Sequence, residues 1–380
     1  MADLAKYFDF NATAPTRQSA KAAFDETAER FWHNPSSLYR EAGAAKLRLE
    51  DCREELADRL GIDEPERVVF TSSATEANNA LVAFMVEKSA KLLAVSSIEH
   101  PCVQAPSESY LESGKVREIP VNDRTGIVDL DLIKSWVSRG EVSVVSVMAA
   151  NNETGVLQPW AEVAEMCREH GALFHTDAAQ WIGKMPVSEL GGCDFLTGSG
   201  HKFGGGKGSG FLVLPDNEMG ESFHGLIGGP QEEGRRAGTE NLPAVAAMVA
   251  ALSDFSDTDL AMPERALGRD RFEQLVTGKI KCEILAQESP RLWNTSMLVL
   301  PHTKNLKWLT RLSSRGFCVS TGSACSAGRG NPSRVMAAMG LDFDAMNRVL
   351  RLSGGWGTTV DDWVALADAF FEVDSELAVQ

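Results

Sequence analysis

The chain lacks the features that would point to a membrane or a nucleic acid. None of its apolar runs approaches the roughly 20 residues that a membrane-spanning helix needs, and its first residues, MADLAKYFDFNATAP, contain no apolar signal-peptide core. Positive charge is also scarce, because 37 Lys and Arg stand against 53 Asp and Glu, for a net charge of −16. Nucleic-acid binding depends on neutralising phosphates with cations. We therefore expect a cytoplasmic protein with neither nucleic-acid nor membrane partners.

Zinc-binding and disulfide patterns are missing as well. The seven cysteines are an odd number, are widely scattered and include no CxxC pair, and no metal ligands occur at a convincing spacing. Most cysteines are expected to be buried small apolar residues. Cys318 lies in an apolar run and is expected in the core. Cys325 lies in STGSACSAGRGNPS, a composition typical of a loop, where a buried inert thiol is not expected.

Short apolar runs alternate with helical patterns along most of the chain, and 380 residues suffice for about two domains. Continuous apolar runs of this kind are typical of parallel strands buried on both faces, so the pattern predicts an α/β protein with its ligand crevice at the carboxyl ends of the strands. We predict a large domain over 13–252 and a smaller α+β domain over 253–380, with 1–12 packed on the latter. The predicted strands are Val68–Thr71, Leu92–Ser96, Val116–Ile119, Val142–Met148, Leu173–Thr176, Phe195–Gly198 and Gly210–Leu214.

Three segments that follow predicted strands carry candidate chemistry. Small hydroxylated residues around Ser73 and Thr75 open a helix, which suits a phosphate, although they could equally cap the helix. Lys202 lies between a His and a glycine run, where a confined lysine could form a Schiff base, the alternative being an exposed loop lysine. Asp177 follows a buried strand and could pair with a pyridinium nitrogen, or could simply be a solvated aspartate.

A set of ordered motifs resembles the cysteine desulfurases of the class V aminotransferase family, over residues 7 to about 356. The resemblance implies the pyridoxal-phosphate-dependent transferase fold of the type I aminotransferase kind. The motifs are DFNATAP (9–15), HNPSSLYREAG (33–43), SSATEANNA (72–80), EHPCV (99–103), NNETGVLQP (151–159), HTDAAQ (175–180), SGHKFGGGKG (199–208), RRAGTEN (235–241) and STGSACSAG (320–328).

The resemblance implies a role for each matching residue around pyridoxal 5'-phosphate. Lys202 would carry the cofactor and Asp177 would pair with its ring nitrogen. The other implied positions are His100 over the ring face, Gln180 and Asn152 on the side of the phenolic oxygen, Ala74, Thr75, Ser199 and His201 around the phosphate, Thr239 reaching the phosphate from a neighbouring subunit of a homodimer, and Asn34 and Arg351 on the substrate carboxylate.

The implied reaction converts L-cysteine to L-alanine. Lys202 would remove the α-proton, the Cys325 thiolate would attack the substrate sulfur to form a persulfide, and His100 would donate or accept a proton near neutral pH. The spacing between Cys325 and Pro332 resembles the longer-looped, housekeeping type, which passes sulfur to an acceptor protein, either an iron–sulfur scaffold or a thiolation protein.

Two other functions stay open at this point. A selenocysteine lyase or another class V aminotransferase would share the cofactor residues, although simple transamination needs no thiolate. A non-catalytic binding partner would keep the fold without the chemistry. The segment RLSGGWGTT (351–359) departs from the family pattern, because Gly354 replaces a Leu and Trp356 replaces an Arg. This departure leaves the local packing and the substrate preference open.

Overall fold

A computed structural model describes residues 4–89, 91–322 and 333–378. Its larger sheet has seven strands in the order β1-β7-β6-β5-β4-β2-β3. β2, β3, β4, β5 and β6 pair in parallel, and β7 runs antiparallel to both β1 and β6. The strands are β1 (Val68–Thr71), β2 (Leu92–Ser96), β3 (Val116–Ile119), β4 (Val142–Ser146), β5 (Leu173–Asp177), β6 (Phe195–Ser199) and β7 (Gly210–Val213).

The predicted α/β class with a mostly parallel sheet is confirmed. β1, β6 and β7 are buried along their whole length, which agrees with the continuous apolar runs from which they were predicted. The predicted strand Val142–Met148 is two residues longer than β4, since the chain leaves the sheet after Ser146. The predicted domain boundary between 252 and 253 stays a prediction.

Helices cover both faces of the larger sheet and flank a smaller one. α2 ends at Gly61, whose φ of 71° is a left-handed conformation that favours glycine. The helices are α1 (Gln18–Arg30), α2 (Arg40–Leu60), α3 (Ala74–Lys88), α4 (Pro101–Leu111), α5 (Leu130–Ser138), α6 (Trp160–His170), α7 (Glu218–Glu221), α8 (Leu242–Ser253), α9 (Asp257–Leu260), α10 (Leu267–Lys279), α11 (Asn305–Ser314), α12 (Arg334–Ala338), α13 (Phe343–Met346) and α14 (Val360–Ala378). No helix within these described ranges is long and apolar enough to cross a membrane.

A second, antiparallel sheet has the order β10-β9-β8, and the N-terminal segment lies beside it. Its strands are β8 (Glu283–Ile284), β9 (Thr295–Val299) and β10 (Val349–Ser353). The Phe8 amide donates to Cys318 O at 2.9 Å, and the Ser353 amide donates to Phe8 O at 2.8 Å. These bonds connect the start of the chain to the segment around Cys318 and to the end of β10.

The expectation that Cys318 lies in the core is wrong. Its side chain is exposed, whereas that of Phe317 is buried. Cys318 forms a β-bridge with Tyr7, and successive side chains of an extended segment point to opposite faces. The apolar neighbours therefore indicated a buried segment but not which of its side chains faces inward.

The departure at Trp356 is accommodated by aromatic and cationic neighbours. Its ring packs edge-on against Phe10 at 5.3 Å between centroids, and the Arg17 guanidinium lies 4.0 Å from its centroid. Arg17 also stacks on Phe255 at 3.9 Å. The cation–π contacts of Arg17 thus join the segment after β10 to the segment after α8.

Candidate active site

A pocket of about 290 Å³ lies at the carboxyl ends of the strands of the larger sheet. The strands β1, β2, β4, β5 and β6 each deliver polar residues to it from their last position or from the segment that follows, as the parallel topology predicts. Most residues predicted for the site line this one pocket: Ala74, Thr75, His100, Asn152, Asp177, Gln180, Ser199, His201, Lys202 and Arg351.

Lys202 stands in the turn that follows β6. Its Nζ donates to Asn11 O at 2.8 Å and to Ala12 O at 3.0 Å. Burial and, to a smaller extent, the positive charge of Arg351 lower the pKa of Lys202 to about 8, against the opposing effect of Asp177. About a tenth of this amine is therefore unprotonated at pH 7 and available as a nucleophile or base, far more than for an ordinary lysine.

Asp177 ends β5 and is almost completely buried. Its Oδ2 accepts from Asn78 Nδ2 at 2.8 Å, and its Oδ1 accepts from the Ala179 amide at 2.9 Å. The Thr197 hydroxyl donates to Asn78 Oδ1 at 2.8 Å, which fixes the Asn78 amide with its nitrogen toward Asp177. The carboxylate is thus held in one orientation by donors on both oxygens.

His100 is the N-cap of α4, and this role determines which ring nitrogen carries the proton. Its Nδ1 accepts from the Cys102 amide at 3.2 Å, and the Cys102 Sγ lies 2.9 Å from the same nitrogen. An accepting Nδ1 leaves the proton of the neutral ring on Nε2. Burial lowers the pKa of His100, so the neutral Nε2–H form prevails at neutral pH.

The other end of the pocket is rich in hydrogen-bond donors. α3 begins there, and Ser73 Oγ accepts from the Glu76 amide at 3.2 Å. The amides of Ala74 and Thr75 belong to the first turn of α3, where backbone N–H groups have no intrahelical acceptor and favour an anion. His201 lies nearby, and burial lowers the pKa of His201 to about 4. The chemistry of this end suits a phosphate.

Arg351 reaches the pocket from β10 of the smaller sheet. Its Nη2 donates to Asp9 Oδ1 at 2.7 Å, and its Nη1 donates to Asn152 O at 2.9 Å. Its Nε is buried and has no hydrogen-bond partner within the described part of the chain. The second N–H of Nη1 and that of Nη2 are left for further acceptors, since each nitrogen carries two N–H groups.

Asn34 and Thr239 do not line the pocket of their own chain. Both are exposed, in surface loops that meet at Gln231. Gln231 accepts from the Gly238 amide at 3.1 Å and donates to Ser36 Oγ at 3.4 Å. The roles predicted for Asn34 and Thr239 stay predictions, and the predicted Cys325 lies outside the described residues.

The motif analysis assigned no role to several residues that the structure brings into the pocket. Asn11 lies within the quoted DFNATAP motif, so its position in that motif was a usable signal. Cys102 and Glu153 also line the pocket, and burial raises the pKa of the Glu153 carboxyl. Both lie within quoted motifs, EHPCV and NNETGVLQP, so the same signal was available for them.

The pocket fits pyridoxal 5'-phosphate because its side chains and backbone groups match the functional groups of that cofactor. It combines an amine of low pKa, a buried carboxylate for a pyridinium nitrogen and an open helix N-terminus for a phosphate. The fold and these groups together define an enzyme of the pyridoxal-phosphate-dependent transferase class.

Comparison with known proteins narrows this class to one family. The profile of the family "Aminotransferase class-V" matches residues 6–365. The chain belongs to this family, and its predicted dependence on pyridoxal phosphate is confirmed.

Similar proteins that carry a name agree with the predicted resemblance to the cysteine desulfurases. A cysteine desulfurase of Nostoc sp. is 35% identical over 358 residues, which cover 91% of this chain and 87% of that protein. A cysteine desulfurase of Rhodobacter capsulatus is 35% identical over 387 residues, covering 99% and 98%. The X-ray structure of a NifS-like protein from Rickettsia africae aligns with a TM-score of 0.84 and 29% identity, over 97% of this chain and 99% of that one. The predicted resemblance to the cysteine desulfurases is therefore confirmed.

Proposed function

We propose that this protein is a cysteine desulfurase that converts L-cysteine to L-alanine and transfers the sulfur to Cys325. The observation that carries the proposal is the single pocket in which Lys202, Asp177, His100 and Arg351 meet. The overall change is balanced: L-cysteine and the thiol of Cys325 give L-alanine and a persulfide, so one carbon–sulfur bond breaks and one sulfur–sulfur bond forms.

Pyridoxal phosphate would be held at its two ends by groups that lie at or after different strands of the larger sheet. The first-turn amides of α3 at Ala74 and Thr75, with Ser199 and His201, would bind the phosphate. The Asp177 carboxylate would pair with the ring nitrogen. When bound, the cofactor supplies an electron sink that stabilises negative charge on the α-carbon of an amino acid.

Two side chains of the pocket can move protons. The Lys202 amine is the group that would attach the cofactor, and when released from it the amine is a base for the α-proton because its pKa is about 8. The neutral His100 ring carries its proton on Nε2 and would donate it where negative charge develops.

Arg351 would bind the substrate carboxylate. Nη1 and Nη2 each donate one hydrogen bond within the protein, and each keeps a second N–H. A carboxylate that accepts from these remaining N–H groups would form a bidentate pair. This pair would orient the amino acid relative to Lys202.

Cys325 would be the sulfur nucleophile. Gly322 lines the pocket and precedes Cys325 by three positions in the sequence. The exposed Cys318 lies seven positions before Cys325 and provides a matched control thiol.

We also propose a homodimer and transfer of the persulfide sulfur to an acceptor protein, an iron–sulfur scaffold or a thiolation protein. The loops that carry Asn34 and Thr239 also expose large apolar side chains, including Trp32 at 70%, Leu38 at 103% and Ile227 at 86%. Such a patch is typical of a protein interface. A neighbouring subunit that covers it would bring Thr239 toward a second pocket. The cytoplasmic location stays a prediction.

Alanine and sulfide formation from L-cysteine tests the proposal. The wild-type protein with pyridoxal phosphate and dithiothreitol, which reduces the persulfide, should release both in equal amounts. In a parallel reaction without reductant, mass spectrometry should locate the persulfide on Cys325. C325S should keep the visible absorbance of the bound cofactor but lose sulfide release, whereas C318S should match the wild type. Full activity of C325S would refute the assignment.

Parallel assays separate the alternatives. Selenide formed from selenocysteine without sulfide from L-cysteine would indicate a selenocysteine lyase, and amino transfer between alanine and a keto acid would indicate an aminotransferase. A protein that forms none of these products would be a binding partner without catalysis.

A further inference from the structure

Lys184 is a buried lysine directly behind the pocket. Only 4% of its surface is exposed. Burial and the nearby positive charges of Lys202 and Arg351 lower the pKa of Lys184 well below its usual range. Burying an amine costs free energy unless its donors are used, so this side chain needs a specific acceptor.

That acceptor is the side-chain oxygen of Gln180. Lys184 Nζ donates to Gln180 Oε1 from four residues along the chain. The other end of the same amide, Nε2, donates to Asn11 O at 2.9 Å. An amide whose oxygen accepts from an ammonium and whose nitrogen donates to a carbonyl loses both bonds if it rotates by 180°, because an ammonium cannot accept and a carbonyl cannot donate.

The Gln180 nitrogen is thereby held next to the reactive amine. Asn11 O accepts from Gln180 Nε2 and also from Lys202 Nζ, at 2.8 Å. Two groups that share one acceptor are close neighbours. Gln180 therefore presents a donor, and not an acceptor, at the Lys202 side of the pocket.

We propose that Lys184 is a positioning residue that fixes the orientation of the Gln180 amide and so determines which hydrogen bond the bound cofactor receives there. The inference rests on the proposed function, because the family resemblance puts Gln180 on the side of the cofactor's phenolic oxygen. A donated N–H stabilises that oxygen in its ionised form. Both protonation states of Lys184 can donate to Gln180. The neutral amine can also accept, and in that state the Asn11 carbonyl, which can only accept, keeps Gln180 Oε1 on the Lys184 side.

A purely structural role is the competing explanation. The backbone carbonyl of Lys184 accepts from Trp293 Nε1 at 2.8 Å, which anchors this turn. That bond does not involve the lysine side chain, so it should survive substitution. Methionine is the suitable replacement, since it fills a similar volume without a donor.

A double-mutant cycle on the cofactor-loaded protein tests the proposal. The variants are K184M, Q180A and the double variant, with K207M as a control that removes an exposed lysine beyond the Lys202 turn. The readout is the midpoint of the pH titration of the visible cofactor absorbance, together with the melting temperature. This readout does not require turnover.

K184M should raise the midpoint by about 0.5 to 1 pH unit, which is the shift expected for the loss of one neutral hydrogen bond. Q180A should raise it in the same direction, and the double variant should show no further shift beyond Q180A. K207M should stay at the wild-type midpoint. Additive shifts, or a folded K184M with a wild-type midpoint, would overturn the proposal.

K184Q provides a second route if K184M fails to fold. Its amide retains a donor, so its midpoint should lie between those of the wild type and Q180A. Failure of both variants to fold would show that Lys184 is a folding determinant and would also overturn the proposal. Wild-type protein that titrates normally but forms no alanine would count against the proposed function alone.

Discussion

Arg351 and Asp9 form an ion pair that joins β10 to the N-terminal segment at the edge of the pocket. The Arg351 Nη2 donates to Asp9 Oδ1 at 2.7 Å, and 3% of the Arg351 side chain is exposed against 23% of that of Asp9. The pair occupies one nitrogen of the guanidinium fork and leaves Nε without a partner. Asp9 therefore orients the Arg351 guanidinium, which we propose binds the substrate carboxylate.

D9A should raise the KM for L-cysteine by about 10- to 100-fold with a smaller effect on kcat, since loss of one charge-assisted hydrogen bond is worth roughly 1.5–3 kcal/mol. Steady-state assays of alanine formation measure both constants. D9N is the matched control, because its amide oxygen still accepts from Arg351 and should keep KM near the wild-type value. An unchanged KM in D9A would show that Arg351 does not depend on Asp9.

Attachment of the cofactor to cofactor-free protein should follow the ionisation of Lys202. The pKa of this amine is about 8, and only the unprotonated form attacks an aldehyde. The rate at which visible absorbance appears should therefore rise about tenfold per pH unit below pH 8 and level off above it.

Stopped-flow absorbance from pH 6 to pH 10 measures this profile. K202A should retain no covalently bound cofactor after borohydride reduction and gel filtration, whereas K207M should follow the wild-type profile. A rate that is independent of pH over this range would contradict the assigned nucleophile.

Glu99 should make the protein less stable as the pH rises. Burial raises the pKa of Glu99 to about 8, and its Oε1 accepts from Ser96 Oγ and from the Met148 amide. The folded state therefore holds a proton that the unfolded state releases near the ordinary pKa of about 4.3. The stability from this proton is complete below that value and is lost as the pH rises toward 8.

E99Q keeps the size and the accepting oxygen of Glu99 but removes this ionisation. The melting temperature of E99Q relative to the wild type should therefore increase steadily between about pH 4.5 and pH 8. Thermal unfolding across this range measures the difference. A difference that does not change with pH would mean that Glu99 is ionised in the folded protein.

Glu232 should be important for stability because it pairs with a buried arginine. Its Oε2 accepts from Arg53 Nη1 at 2.7 Å and from the Phe70 amide at 2.9 Å, and only 1% of its side chain is exposed. E232A should lower the free energy of unfolding by about 3 kcal/mol, since it removes the buried carboxylate that accepts from both Nη atoms of Arg53 and leaves only the half-exposed Glu50 to balance that charge.

E233A is the matched control for E232A in denaturant unfolding. Glu233 also has a left-handed backbone, with φ of 57° against 49° for Glu232, but 72% of its side chain is exposed. Its substitution should change the free energy by less than about 1 kcal/mol. Equal losses in the two variants would assign the effect to the backbone conformation and not to the ion pair.

The strands of the larger sheet could be predicted because they are buried on both faces and therefore appear as continuous apolar runs. β1, from Val68 to Thr71, agrees with its prediction to the residue. The pairing of β7 against β1 and β6 could not be predicted in the same way. Strand direction depends on the path of the connecting segments, which apolar runs do not encode.

The chemistry of the site was present in the sequence as motifs, because a lysine beside glycines and an aspartate after a buried strand are local patterns. The contacts that give these residues their properties are not local. The Asp177 orientation depends on Asn78, which is 99 positions away, and the Lys202 amine is held by Asn11, which is 191 positions away.

The sequence by itself determined the fold class, the family and the residue types available for catalysis, since each follows from short segments and their order. Only the tertiary structure decided that Cys318 faces outward, that His100 accepts through Nδ1 and that Lys184 holds Gln180. The physical reason is that hydrogen-bond direction and burial depend on atoms brought together from distant parts of the chain, and these determine which proton, charge or lone pair each side chain presents.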